Sequence, residues 1–216
     1  MKDGLVEMVF ILDRSGSMMS LTPDTIGGFN SMIEKQKAEE GEAFVTTVLF
    51  DDKYEVLHDH VNIQDVPVLT EKEYFARGLT ALLDAVGMTI NKVGERLAKT
   101  DESERPEKVV VIITTDGFEN ASREFTREQV RKMIEHQQDK YSWIFMFLGA
   151  NMDAVEEAGK YGIKSNFAKT YTASARGVDS VYTSVGASVS MVRNAKSFAT
   201  TDAMETAVAE ALNDVE

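Results

Sequence analysis

The sequence predicts a three-layer α/β fold, with a mostly parallel six-stranded sheet between helices, on three observations. Short apolar runs alternate with longer segments of helical period. One of these runs, residues 109–114, is β-branched and too short for a helix of that apolarity, which suits a strand buried on both faces. The length of 216 residues is enough for one sizeable core and short for two.

Taken in order, residues 5–12 read as the first buried strand. Thr22 and Pro23 read as an N-cap followed by proline in the first helical position, and Ile26, Phe29 and Ile33 give that helix an apolar stripe ending near Gly41. Residues 43–50 and 54–61 read as strands joined by a tight turn at Asp51, Asp52 and Lys53. They therefore form an antiparallel hairpin, with the second strand at the sheet edge. A looser stretch leads to Gly78. From Thr80 onward Leu82, Val86, Ile90, Val93 and Leu97 fall on one face of a long helix. After the central strand at 109–114, Thr126 and Gln129 form a capping box for a helix that buries Val130, Met133 and Ile134. A strand at 142–148, a short helix at 153–158, a short strand at 167–170 and a helix carrying Val178, Val181, Tyr182, Val185, Val189 and Val192 complete the alternation. Trp143 and the 11 methionines are expected in the core. The domain is expected to span residues 1–199. Residues 200–216 hold Asp202, Glu205, Glu210, Asp214 and Glu216 without a basic residue, and read as an acidic, partly ordered or helical tail with Val208, Leu212 and Val215 on one weak stripe.

The net charge of −13 argues against nucleic acid and anionic membranes as partners. The sequence has no cysteine, which removes disulfides, thiolate metal sites and a cysteine nucleophile. Residues 5–12 lack the pattern of a secretory signal, and no apolar run reaches the roughly 18 residues of a membrane span, so a cytoplasmic protein is expected.

The strongest local signal lies at the end of the first strand. Asp13, Ser15 and Ser17 place a carboxylate and two hydroxyls on a glycine-containing loop, beyond the carboxyl end of a strand where open α/β sheets bind ligands. Thr80, before the long helix, and Asp116, after the central strand, end in the same neighbourhood. Two carboxylates and three hydroxyls suit a hard cation such as Mg²⁺, which takes oxygen ligands at about 2.0–2.1 Å in an octahedron, better than a soft metal. Glu119 and Asn120 read as a surface turn next to this cluster. His58 and His60 read as solvent-facing residues on one face of the edge strand.

Asp13-x-Ser15-x-Ser17, Thr80 and Asp116 resemble the metal-ion-dependent adhesion site of von Willebrand factor type A (vWA) domains, whose fold is Rossmann-like. The resemblance runs from about Leu5 to Ile163. It includes Gly28, Phe29 and Asn30, and the Leu148, Gly149, Ala150 and Asn151 strand exit of bacterial intracellular members. It implies that Ser15, Ser17 and Thr80 bind Mg²⁺, Mn²⁺ or Ca²⁺ directly and that Asp13 and Asp116 act mostly through its waters. It also implies a protein-interaction module without catalysis, whose cation accepts a Glu or Asp from a partner. Bacterial intracellular relatives suggest a stress-response complex or an AAA+ ATPase as that partner's setting.

The rival reading is a Mg²⁺-dependent phosphohydrolase that attacks through Asp13. Such enzymes carry a second acid two residues on, where this chain has Ser15, a poor proton donor near neutral pH. Serine hydrolysis lacks a Gly-x-Ser-x-Gly elbow and a placed histidine, and RNA binding is opposed by the acidic balance.

Overall fold

The computed structural model of the chain describes residues 1–194 and 200–213. The first apolar run becomes β1 (Lys2–Asp13), and pairing with a strand on each side buries it from Leu5 to its end. There follow α1 (Thr22–Lys37), β2 (Ala43–Phe50), β3 (Tyr54–Asn62) and α2 (Leu82–Lys99). The second half holds β4 (Pro106–Thr115), α3 (Arg127–Tyr141), β5 (Ile144–Ala150), α4 (Ala154–Lys160), β6 (Ala168–Tyr171), α5 (Ala175–Arg193) and α6 (Thr201–Asn213).

The sheet has the order β3-β2-β1-β4-β5-β6, with β3 antiparallel to β2 at one edge and every other pairing parallel. The chain builds outward from β1 to β3, then returns through α2 to place β4 on the other side of β1. Strand order reverses between β1 and β4, so their carboxyl ends diverge and leave a crevice there.

Side-chain alternation along β1 assigns the two helical layers. Phe10 meets Phe29 of α1 edge-on at 5.3 Å, whereas Glu7 pairs with Arg96 of α2. Positions 7 and 10 face opposite sides of a strand, so α1 and α2 cover opposite faces. α5 packs on α1 and β1, and α3 joins α2. Leu82, Val86, Ile90 and Val93 of α2 are buried as their spacing predicts, each stabilising the fold by about 1.5–3 kcal/mol. In the segment read as an acidic tail, Met204, Val208, Ala209 and Leu212 of α6 are buried, and the helix packs on α5. Asp214, Val215 and Glu216 lie outside the described residues.

Several local expectations need correction. A 3₁₀ segment, Gly16–Leu21, precedes α1, so Thr22 is the first helical residue rather than its cap, and its hydroxyl donates to the Met18 carbonyl at 3.2 Å. The β3 register shifts near its middle and His60 has φ +54°. His58 pairs with Thr47 at 3.0 Å, while the His60 ring lies 3.3 Å from Glu7. Thr46, which hydrogen-bonds Glu7, and Thr47 point to opposite faces of β2, so the two histidines do as well, and His58 is buried. Methionine is divided too: Met8, Met18, Met32 and Met146 are core, but Met19 and Met88 are exposed.

Candidate metal centre

Asp13 closes β1 at the crevice and is fully buried. Both of its carboxylate oxygens are engaged. The Ser15 amide donates to Oδ1 at 2.6 Å, and the Thr115 hydroxyl donates to Oδ2 at 2.6 Å. The first bond folds the loop back on the strand end, and the hydroxyls of Ser15 and Ser17 then stand 3.1 Å apart. The Ser17 hydroxyl donates to Asp116 Oδ1 at 2.5 Å, tying the loop after β1 to the loop after β4.

Thr80 enters from the loop before α2. A methyl group on Gly117 would stand 3.0 Å from Thr80 Oγ1 and 3.5 Å from Ser17 Oγ, so the lack of a side chain at 117 lets both hydroxyls share one small space. The Gly16 amide donates to the Gly78 carbonyl at 3.1 Å, lacing the first two loops. The Thr80 amide donates to Asn120 Oδ1 at 2.9 Å, and the Asn120 amide donates to the Thr80 carbonyl at 3.0 Å. Glu119 accepts from the amides of Leu83, Ala121 and Ser122. Glu119 and Asn120, read from sequence as a surface turn, thus hold the second and third loops together.

The electrostatics leave negative charge uncompensated. Burial raises the Asp13 carboxyl to about 6, against hydrogen bonds from Thr115 and Ser15 that lower it, and the charge of Asp116 adds to the rise. Burial also raises Asp116, opposed by the bond from Ser17. Among the described residues, no lysine or arginine forms an ion pair with either acid. Among those residues, too, no group of three or more His, Asp or Glu side chains is placed to hold a metal, so hydroxyls must supply most of any donor set here. Oxygen donors of this kind, around two acids without a basic partner, fit a hard divalent cation. They suit nucleophilic attack poorly, because neither oxygen of Asp13 is free.

A buried ion-pair network supports the first loop, and sequence reading missed it. Arg14, 1% exposed, turns away from the hydroxyls. Its Nε donates to Asp51 Oδ2 at 3.0 Å and its NH2 to Glu55 at 2.7 Å. Arg77 reaches the same Asp51 oxygen at 2.7 Å, and Phe75 lies against both guanidinium groups. Burial pushes the Asp51 carboxyl up, but hydrogen bonds from Arg77 and the Lys53 amide, with the charges of Arg14 and Arg77, outweigh it and hold the carboxyl below its usual range. The hydroxyl of buried Tyr74 donates to the Asp13 carbonyl, anchoring the long loop after β3 to the strand end. On the other side of Thr80, Asp84 accepts from three successive amides, those of Arg123, Glu124 and Phe125, at 2.7–2.9 Å.

No protein-family model matches the sequence, and no curated protein matches it. Solved structures do share its fold. The vWF domain of the type V pili tip protein Mfa5 from Porphyromonas gingivalis matches with a TM-score of 0.62 at 12% identity, over 91% of this chain and 98% of that one. Proximal thread matrix protein 1 from the mussel byssus matches with a TM-score of 0.58 at 17% identity, over 88% of this chain and 46% of that one. A further structure of that mussel protein has a zinc-occupied MIDAS motif, and matches with a TM-score of 0.51 at 16% identity, over 96% of this chain and 46% of that one. The chain spans less than half the length of the mussel protein. It has the von Willebrand factor type A fold, and the five residues lie where strand order reverses in that fold.

Proposed function

We propose that the chain is a divalent-cation-dependent protein-interaction module, with the cation held at Ser15, Ser17 and Thr80 and supported by Asp13 and Asp116. The observation that carries this reading is the meeting of hydroxyls from two separate loops beside two acids, one closing β1 and one on a third loop, that have no basic partner among the described residues. A bound cation, Mg²⁺ by the hardness of the donors and Mn²⁺ or Ca²⁺ as substitutes, supplies an electrophilic point for a Glu or Asp side chain of a protein partner. Asp13 acts from below: its fixed carboxylate orients the Ser15 amide and, through Thr115, the loop that carries Asp116. Asp116 holds the Ser17 hydroxyl. Ser15 in place of a second acid, together with the two engaged oxygens of Asp13, favours binding over phosphoryl transfer. The setting of a bacterial stress-response or AAA+ ATPase complex rests on the sequence resemblance alone.

Calorimetric titration of Mg²⁺ and Mn²⁺ into the wild type, Asp13→Ala and Asp116→Ala tests the site. The wild type is expected to bind one equivalent and both variants at least tenfold more weakly. Equal binding by all three would remove the proposal.

A further inference from the structure

Asp51 belongs to the tight β2–β3 turn, but it is fully buried, and both of its carboxylate oxygens and its carbonyl are engaged. Its Oδ1 holds the turn itself, accepting from the Lys53 amide at 2.8 Å. Its Oδ2 accepts from two guanidinium groups, Arg14 Nε at 3.0 Å and Arg77 Nε at 2.7 Å, and its carbonyl accepts from the Ala81 amide at 2.9 Å. Arg14 stands between Asp13 and Ser15 in the first loop, while Arg77 and Ala81 stand on either side of Thr80 in the second. Two backbone bonds of 2.8 Å complete a ring, from the Arg14 amide to the Phe50 carbonyl and from the Arg77 amide to the Arg14 carbonyl. Asp52 closes it from outside: its Oδ1 lies 2.1 Å from where a methyl group on Gly78 would stand, so the second loop is packed directly against the turn. A residue that supplies no ligand thus ties the loop of Ser15 and Ser17 to the loop of Thr80. Charge-assisted bonds to a buried carboxylate are directional and costly to break, so the spacing of the two loops is held stiffly.

We infer that Asp51 is a positioning residue that favours Mg²⁺ over Ca²⁺ at this site, by holding the loop of Ser15 and Ser17 and the loop of Thr80 at a fixed spacing. This rests on the cation reading above, and extends it from which atoms bind to which ion they accept. Both ions are hard and take oxygen, so the type of donor does not choose between them. Size and flexibility do: Mg²⁺ demands near-ideal octahedral geometry at about 2.0–2.1 Å, whereas Ca²⁺ takes about six to eight ligands at about 2.3–2.6 Å in a site that can spread. The space shared by the hydroxyls is narrow, since a methyl group on Gly117 would already stand 3.0 Å from Thr80 Oγ1 and 3.5 Å from Ser17 Oγ. Spreading it for the larger ion requires the two loops to part, and the bonds on Asp51 oppose that movement. The Gly16 amide joins the same loops through the Gly78 carbonyl by backbone alone, so the Asp51 side chain is the part of the link that substitution can remove.

Asp51→Asn and Arg77→Met test it in the 216-residue chain. Arg77→Met removes one guanidinium from Asp51 Oδ2, keeps an apolar stem against Phe75 and leaves the buried Arg14–Asp51 pair intact, so the fold persists. Mg²⁺ and Ca²⁺ are titrated calorimetrically into the wild type, both variants and Thr126→Ala, which loses a helix cap away from the site. The ratio of the Ca²⁺ to the Mg²⁺ dissociation constant is expected to fall about tenfold in Asp51→Asn and about threefold in Arg77→Met, and to keep its wild-type value in Thr126→Ala. In cation-free protein, hydrogen exchange at the Ala81 amide is expected to quicken about fivefold or more in both site variants. An unchanged ratio in folded Arg77→Met, or Ala81 exchange at the wild-type rate in both variants, overturns the inference and leaves the cation site standing. A ratio that falls as far in Thr126→Ala also overturns it, since selectivity would then follow general stability. A wild type that binds neither ion overturns the inference and the site together.

Discussion

In the proposed site, Asp13 would tie stability to ligation. Its carboxyl titrates at about 6 in the folded chain against 3.8 ordinarily, so between those values the folded state binds more protons than the unfolded one. Stability of the cation-free protein is therefore highest at low pH in this respect. It falls as pH rises through that window, by up to about 3 kcal/mol. A cation beside the two acids offsets that loss. Mg²⁺ is thus expected to raise Tm more at pH 7.5 than at pH 5, and Asp13→Asn to be more stable than the wild type at pH 7.5 without Mg²⁺ and to gain little when it is added. Differential scanning fluorimetry reads both, and a Mg²⁺ shift equal at the two pH values counts against the account. Arg14 and Asp51 present the opposite case, a buried pair whose separation strands a charge. Asp51→Ala is expected to cost about 3–5 kcal/mol in urea denaturation. The hydroxyls and acids of the site were legible in the sequence because their spacing is local to each loop. The Arg14 and Asp51 pair was not, since the partners are 37 residues apart and Asp51 alone reads as a turn residue.

At the scale of elements, local signals succeed where their chemistry is self-contained. Thr126 and Gln129 cap α3 reciprocally, as their spacing implied, and Thr126→Ala is expected to cost about 1 kcal/mol of stability while leaving cation affinity unchanged. Gly78 differs, because its φ of +68° sits in the loop that delivers Thr80. Gly78→Ala is expected to cost about 1–2 kcal/mol and also to weaken Mn²⁺ binding, as paired denaturation and calorimetry would show. The elements misread from sequence are those set by tertiary contact. Nothing near His60 marks the shift in register that separates it from His58, because the bulge is fixed by Glu7 and Arg96 across the sheet. The 3₁₀ turn before α1 is likewise shaped by the loop's bonds to Asp13 and Gly78, and not by a capping residue.

For the whole molecule, alternation of strands and helices announced the layers, and the tight turn at Asp51 announced the antiparallel edge. The strand order came only with the structure, because parallel neighbours are joined by long connections that carry no pairing information of their own. Residues 200–213 are a second case. They read as an acidic, partly ordered or helical tail with Val208 and Leu212 on a weak stripe; the helix forms and that stripe is buried with Met204, but its packing on α5 is visible only in the structure. Deletion of residues 201–216 is expected to lower unfolding free energy by about 3 kcal/mol or more, from the apolar area uncovered. The truncated chain should also self-associate, which sedimentation at several concentrations would show. Unchanged stability and a monomeric truncation would mean that α6 contributes little to the body it lies against.

Asp84 has a consequence for time rather than for affinity. By gathering the amides of Arg123, Glu124 and Phe125 it fixes the segment that follows the loop of Asp116, across from the β2–β3 turn. For the proposed interaction, a segment that needs no rearrangement adds no waiting step. Encounter rates of about 10⁵–10⁷ M⁻¹s⁻¹ are then expected, with the lifetime of the complex, and not its formation, setting the choice of partner.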